Sequence, residues 1–576
     1  MAPDTRDLPR RLPRTLVAAL LSAMAGVAAL LKIRSYDVWW HLETGRLILS
    51  QRSIPSVDDF SFTSRGAAWV DHEWLFQVIL FLAHAAAGPW GIAILKAACV
   101  LVVGWIGYRA LCASGAAGGV ALGVVGLAIA GLRFRLGERP ETVSMALACV
   151  CAAVALSLLC PRTQDRSPAG RLALFALVTI LWANMHASAL LAPVLAGACA
   201  AGGLVAPRGT GPSRSAARAG AMRALAAAGI GAAALLCNPY GWRIYGVPLE
   251  ISRALEPANL VNPEWSAPTL ATFPLFFASV ALAGVAVLQA LRRGPPLAGA
   301  RAALWCVGVS IGLLSVRHVG LFFAVLPLMI DAGALPAPAP FKGRSSAWQA
   351  AGIALALAAV TWMIFRPPAG AETGIGIMPD RYPEKAADFL DASLAEARLY
   401  NDVSFGGYLI WRGYPRRRVF IDGRNEVHAP LLREISAALD DGRRWSALLD
   451  GHEVEGAVVG YRDEAVPVRD AVSGAISTST FSDLHFPRGA WALVYWDDVA
   501  MVFLRRTGRY AREARRLEYP LSHPESWRLR AATGGIFEAQ PGIAEEIRRK
   551  LAQDQDCRLA KAMARVYGVA FTTSAR

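Results

Sequence analysis

Along the first 366 residues, apolar stretches rich in Ala, Leu, Val and Gly alternate with short loops that carry arginine. A helix needs roughly 20 such residues to cross a hydrocarbon layer. No single soluble core has room for so many separately apolar helices. The pattern therefore predicts a polytopic α-helical membrane protein with about eleven spans. The apolar segment from Trp74 to Ala87 is an exception: at about fourteen residues it is short for a span and is expected to lie at the interface. After residue 366 the pattern shortens and alternates, predicting strands at Arg398–Asp402, Arg418–Asp422, Gly456–Tyr461, Trp491–Tyr495 and Val499–Arg505. Helices are expected at Gly407–Arg412 and within Leu431–Leu449, with two more at Gly542–Leu551 and Cys557–Val566. The expected organisation is a membrane domain over 1–366 with a large first outer loop at 34–73, a soluble α/β domain over 367–507, and a helical tail over 508–576.

Composition agrees, with 55% hydrophobic and only 18% charged residues. The net charge of +15 would suit nucleic acid, but the arginines sit in loops between apolar runs, where they set orientation instead. Nucleic-acid binding is excluded on that ground. Arg6, Arg10, Arg11 and Arg14 precede the first apolar run, which places the N-terminus in the cytoplasm. Further basic loops at Pro161–Arg171, Arg208–Arg223, Arg292–Arg301 and Lys342–Arg344 then put 132–142, 238–271 and everything after 366 outside. That first run, Thr15 to Ile33, is long enough to span and lacks a small-residue cleavage site, so it does not read as a cleavable signal. The nine cysteines form no CxxC pair and no disulfide framework.

The candidate chemistry gathers in the outward segments. Asp37 follows the first span closely, and His41 comes four residues later, on the same face if this stretch is helical. Asp71, His72 and Glu73 return polar groups to the same depth just before the next apolar segment. Asp37, Asp71 and Glu73 form a candidate set for a divalent metal, Mg²⁺ or Mn²⁺ by carboxylate hardness. Trp39 and Trp40 equally read as an interfacial aromatic belt beside solvated acids. Polar groups between other spans extend the set: Arg139 and Glu141 around a proline, His186 after Asn184, Arg243 and Glu264 in the long loop, and Arg317 with His318 interrupting an apolar run. Charge at such depths is costly unless it faces a cavity or a partner. Arg139 and Arg317 are the candidate phosphate ligands, because a guanidinium matches phosphate oxygens bidentately. An internal salt bridge, such as Arg139 with Glu141, is the alternative. Asp58 and Asp59 are expected to cap a local turn, and Asp402, Asp422 and Arg424 fall at predicted strand ends.

An acidic residue just after the first span, a second in a later outer loop, many spans and an outer C-terminal domain together resemble the GT-C superfamily of polyprenyl-phosphate-sugar-dependent glycosyltransferases. The runs DVWWHLETG, HEWLFQ, RPET, NPYG and PEW carry this resemblance over most of residues 15–366, and are similar to bacterial membrane proteins near that superfamily. The run from Asn401 to Arg424 looks distantly like the start of the outer domain in oligosaccharyltransferase catalytic subunits, but with FGGYLIW in place of their WWDYGY motif, so sequon recognition is not implied. The resemblance implies a lipid-linked sugar donor and a glycan, lipid or protein acceptor, handled on the non-cytoplasmic face of a bacterial inner membrane. On this sequence it makes Asp37 the metal ligand or general base and Glu264 the second catalytic acid, with no DxD doublet at Asp37. Two other readings stay open: a lipid-linked glycan transporter, which needs polar residues near mid-span, and a non-catalytic envelope assembly protein.

Overall fold

The computed structural model describes residues 12–160, 167–205, 212–247, 249, 253, 263–334, 345–462, 464–469, 476–534, 537 and 540–571. Arg6, Arg10, Arg11, Lys342, Arg344 and parts of the expected basic loops at 161–166 and 206–211 lie outside the described residues. The helical part begins with α1 (Arg14–Ala29), α2 (Val38–Gln51), α3 (Trp74–Ala87), α4 (Pro89–Ala113), α5 (Gly118–Leu132) and α6 (Glu141–Leu159). It continues with α7 (Pro168–Ala183), α8 (Leu191–Val205), α9 (Pro212–Ala234), α10 (Pro274–Arg293), α11 (Ala298–Leu314), α12 (Val319–Met329) and α13 (Ser345–Phe365). Six of the described helices are long and apolar enough to cross a membrane, and five more are apolar but shorter, α3 among them. On α10, Leu282, Val285 and Leu288 are exposed while Phe276, Ala283 and Ala286 are buried, the division expected of a helix with one face toward lipid. Helices α5 and α13 touch backbone to backbone: a Cβ on Gly352 would lie 2.2 Å from the Gly119 carbonyl oxygen. Small residues permit such an approach, and van der Waals contact over it holds apolar helices together where no hydrophobic drive exists.

The connection from α1 to α2 is fixed by a buried ion pair. Lys96 Nζ on α4 donates to Glu138 Oε1 at 2.8 Å and to the Leu31 carbonyl at 3.1 Å, and Glu138 Oε2 accepts the Arg34 and Ser35 amides at 3.2 Å. Removing either charge would leave the other buried and alone. The four hydrogen bonds therefore hold the chain immediately before Asp37.

Beyond residue 366 the chain builds a four-stranded sheet in the order β1-β2-β6-β5, from β1 (Leu399–Asn401), β2 (Gly456–Gly460), β5 (Trp491–Trp496) and β6 (Ala500–Arg505). β1 is parallel to β2, and the other pairs are antiparallel. A separate hairpin pairs β3 (Val466–Arg469) with β4 (Ile476–Ser479) and was not anticipated from the sequence. The helices are α14 (Glu384–Ser393), α15 (Val403–Gly413), α16 (Ala429–Ala438), α17 (Gly442–Gly451), α18 (Phe481–His485), α19 (Ala511–Leu517), α20 (Pro524–Ala532), α21 (Ile543–Gln553) and α22 (Arg558–Val566). The apolar faces of α21 and α22 (Ile547, Leu551, Leu559 and Met563) join the core beneath the sheet.

The expected strand Arg418–Asp422 does not form. Its hydrogen bonds go to the loop between α2 and α3 instead: Val419 N donates to the Phe60 carbonyl and Phe62 N donates to the Val419 carbonyl, both at 3.0 Å, as a single parallel bridge. Side chains reinforce the contact. Arg424 donates to Asp58 and to Asp422 at 2.6 Å each, His428 Nε2 lies 3.1 Å from Asp422, and the Asp58, Asp422, Arg424 and His428 side chains are 0% exposed. Asp58 also caps its local turn by accepting the Phe60 and Ser61 amides, and Asp59 pairs with Arg418 at 3.0 Å. The two aspartates expected to close a turn thus also clamp the loop to the sheet region.

Candidate functional site

Three chain breaks bring the charged groups to one cavity. Between α11 and α12, Ser315 is extended and a single 3-10 turn over Val316–His318 interrupts the apolar helix, carrying Arg317 and His318. Glu141 opens α6, where the helix N-terminus favours a carboxylate. His186 precedes the short turn Ala187–Leu190 before α8, with Nδ1 lying 2.5 Å from Ser188 Oγ and 3.1 Å from Ser144 Oγ. The cavity has a volume of about 860 Å³. Asp37, His41, Glu73, Arg139, Glu141, His186, Glu264, Arg317 and His318 line one end, and the sheet region supplies the opposite wall, including Asp402, Glu426, Ile435 and Arg462.

Within this cavity the charges alternate. Arg139 donates to Asp37 Oδ2 at 2.8 Å, to Glu264 at 3.2 and 3.3 Å, and through Nε to Ser35 Oγ at 3.0 Å. Arg317 pairs with Glu141 and lies 5.4 Å from the Trp265 ring centre. Arg135 joins both groups, 3.3 Å from Glu141 and 3.1 Å from Glu264. Both arginines thus sit in internal salt bridges, as the alternative expected, but through other partners than an Arg139–Glu141 pair. Asp37 holds Arg139's raised basicity, ahead of the opposing effect of burial. Burial would raise the Glu264 carboxyl, but Arg135 and Arg139 keep it below its usual range.

A second cluster centres on Glu73, whose carboxylate lies 3.4 Å from His72 Nε2, 3.8 Å from His41 Nε2 and 4.0 Å from His186 Nε2. Burial opposes both charges of the His72–Glu73 pair, yet mutual attraction holds Glu73 near 2 and lifts His72 to about 9. His41 and His186 are lowered by the same burial, His186 to about 4, so both are neutral at pH 7.

Two of the expected site residues stand apart. Arg243 is exposed on the turn Gly241–Tyr245 and does not line the cavity. Asp71 is buried behind it, accepting from Gln77 Nε2 at 2.7 Å, and burial raises its carboxyl to about 7. The expected metal set of Asp37, Asp71 and Glu73 does not converge: each faces a different partner, Arg139, Gln77 and the histidines respectively. Among the described residues no three His, Cys, Asp or Glu side chains are placed to hold a metal ion. Of the sheet-region wall, Asp402 and Arg424 were marked by their place at expected strand ends, whereas Glu426, Ile435 and Arg462 carry no local signal that they face this cavity.

No protein-family model and no curated protein matches the chain. Solved structures do: the oligosaccharyltransferase of Archaeoglobus fulgidus in its apo form matches at TM-score 0.52 and 10% identity, over 97% of this chain and 85% of that one. The chain shares the fold of this archaeal enzyme. The same archaeal enzyme in complex with Zn and sulfate matches at TM-score 0.55 and 11% identity, over 96% of this chain and 84% of that one. ArnT from Cupriavidus metallidurans bound to undecaprenyl phosphate gives TM-score 0.49 at 14% identity, over 85% of this chain and 97% of that one. At such identities the likeness is one of fold, and the chemistry of this chain rests on its own cavity.

Proposed function

We propose that the protein is a membrane glycosyltransferase that moves a sugar from a polyprenyl-phosphate donor to an envelope acceptor on the non-cytoplasmic face. The observation that carries this reading is the cavity in which Arg139 and Arg317 are held among Asp37, Glu141 and Glu264 at one end of the apolar helices. A glycosyl phosphate leaves with a developing negative charge, and preformed cationic donors in a sheltered site stabilise that charge more in the transition state than in the ground state. Arg317 and Arg139 are the groups for it, with the carboxylates keeping both guanidiniums oriented while the site is empty of substrate. The A. fulgidus oligosaccharyltransferase has been solved with an inhibitory peptide and a dolichol-phosphate, which suits a donor of the same chemistry here. A divalent cation is the finer expectation; of the expected metal set, Asp37 and Glu73 face the cavity, and the described residues gather no group of three ligands there.

Asp37 lies close to the reacting centre in this reading, and both its oxygens are engaged, Oδ2 by Arg139 and Oδ1 by Trp40 Nε1 at 3.4 Å. Its role is to hold Arg139. The test is transfer by the purified protein from a panel of polyprenyl-phosphate monosaccharides, followed by release of polyprenyl phosphate. Arg317→Lys keeps the charge but loses the bidentate fork, and donor affinity should fall by about 1.5–3 kcal/mol, the worth of a charge-assisted hydrogen bond. Unchanged donor affinity with a lowered melting temperature would make Arg317 structural and place the phosphate elsewhere.

A further inference from the structure

The turn after Asp422 packs the sheet region against the helical part. A Cβ on Gly423 would lie 2.3 Å from Asp37 Oδ1 and 3.5 Å from Trp40 Nε1, so the backbone there passes against the carboxylate that holds Arg139. The buried Asp58–Arg424–Asp422–His428 clamp fixes this turn on both sides, and Ser64 Oγ lies 3.0 Å from His428 Nδ1. Three residues beyond Gly423, Glu426 lines the same cavity.

Glu426 differs from the other carboxylates there. Asp37 and Glu264 are tied to Arg139, Glu141 to Arg317 and Arg135, and Glu73 to His72, while Asp402 pairs with Arg462 at 2.8 Å and accepts the Gly460 amide at 2.7 Å. Glu426 makes no ion pair and no side-chain hydrogen bond with another described residue. The charged groups facing it are His72 and Glu73 across the cavity and Arg424 on its own turn. A carboxylate bonded only to its own backbone amide among the described residues, on a turn fixed by the clamp and lining the cavity of the paired arginines, is placed to accept a proton from a bound hydroxyl. Burial raises the Glu426 carboxyl ahead of the opposing pull of His72, which makes it a better proton acceptor than an ordinary glutamate.

We propose, resting on the glycosyltransferase reading, that Glu426 is the general base, supplied by the sheet region, that takes the proton of the acceptor hydroxyl. In the step, the acceptor oxygen forms a bond to the anomeric carbon. The bond from that carbon to the phosphate oxygen breaks, and its electron pair leaves with the polyprenyl phosphate. The hydroxyl proton passes to Glu426. The division of labour follows from position: the helical part holds the leaving group, and the sheet region activates the nucleophile.

The test uses the full chain in detergent or nanodiscs, the donor that the wild type turns over best, and farnesyl phosphate as the binding probe for the phosphate site. Glu426→Gln should lower kcat at least about 100-fold, the ordinary worth of a general base, with the farnesyl phosphate Kd within threefold of wild type and the melting temperature unchanged. Glu426→Ala should recover at least tenfold when formate is added, a readout that a structural role would not produce. A kcat for Glu426→Gln within threefold of wild type overturns the assignment of Glu426 and leaves the glycosyltransferase reading standing. Loss of farnesyl phosphate binding in both variants, or absence of formate rescue, overturns it as well. Absence of transfer by the wild type from every donor removes both.

Discussion

Adding one methyl group at Gly423 tests the site from a distance. The new Cβ would start 2.3 Å from Asp37 Oδ1, where ordinary contact begins at 3.4 Å, and the obstacle is the tip of a flexible side chain. The carboxylate would therefore retreat by about 1 Å while the backbone stays in place. Arg139 lies 2.8 Å from Asp37 Oδ2, so a retreat of that size takes the pair past hydrogen-bonding range. The lost charge-assisted bond is worth about 1.5–3 kcal/mol, or roughly 10- to 150-fold in kcat/KM if Arg139 must stay oriented for transfer. Gly423→Ala is expected to show this loss in a polyprenyl-phosphate-sugar transfer assay, with a melting temperature close to wild type because no buried bond of the clamp is broken. Activity within twofold of wild type would refute the reasoning that Asp37 acts by holding Arg139 in place.

Arg424→Met should destabilise the protein by at least about 3–5 kcal/mol, since it leaves Asp58 and Asp422 buried without their shared cation, and a melting temperature equal to wild type would contradict the clamp. The His72–Glu73 pair predicts a pH dependence: with His72 near 9 against an ordinary 6.5, its contribution is complete below 6.5 and is lost as pH rises through 9. Glu73, near 2 against 4.5, contributes above 4.5 and loses that contribution as pH falls toward 2. Melting temperature should therefore fall between pH 6.5 and 9 in the wild type and more weakly in His72→Gln; parallel curves would remove the pair from the account. A periplasm-active reporter fused after Arg366 should be on, and strong signal from a cytoplasm-only reporter at that point would reverse the sidedness proposed here.

How far the sequence could be read depended on the range of each interaction. Helices, their apolar faces and the break at Arg317 are set by neighbours a few residues apart, and periodicity finds them. β2, β5 and β6 stand out as short apolar runs, and the turn between β5 and β6 marks that pair, whereas the pairing of β2 with β6 is long-range and carries no local signal. The charged residues were legible as a set because charge is rare between apolar spans, but their partners were not. Arg139 meets Glu264 from 125 residues away, whereas Glu141 is two residues along the chain and points to Arg317. The strand expected at Arg418–Asp422 failed for the same reason: its pattern suits pairing, and only the fold decides that the partner is Phe60–Phe62. The β3–β4 hairpin carries too weak an alternation over four residues per strand to stand out.

The bridge between Asp58 and Arg424 spans 366 residues of chain, and this imposes an order on how the protein is made. At ordinary synthesis rates of about 5–20 residues per second, the loop between α2 and α3 waits on the order of 20–70 s before the segment that completes it exists. Until then Asp58 has no cation and the backbone of Phe60–Phe62 has no partner strand. The loop must stay hydrated, or be held by a chaperone, while every later helix is inserted past it. A ribosome stalled or a chain truncated before Arg424 would leave a finished bundle of helices beneath an unfinished cavity. Such a chain should be a substrate for membrane proteases, and quality control could recognise the missing roof without ever testing for activity.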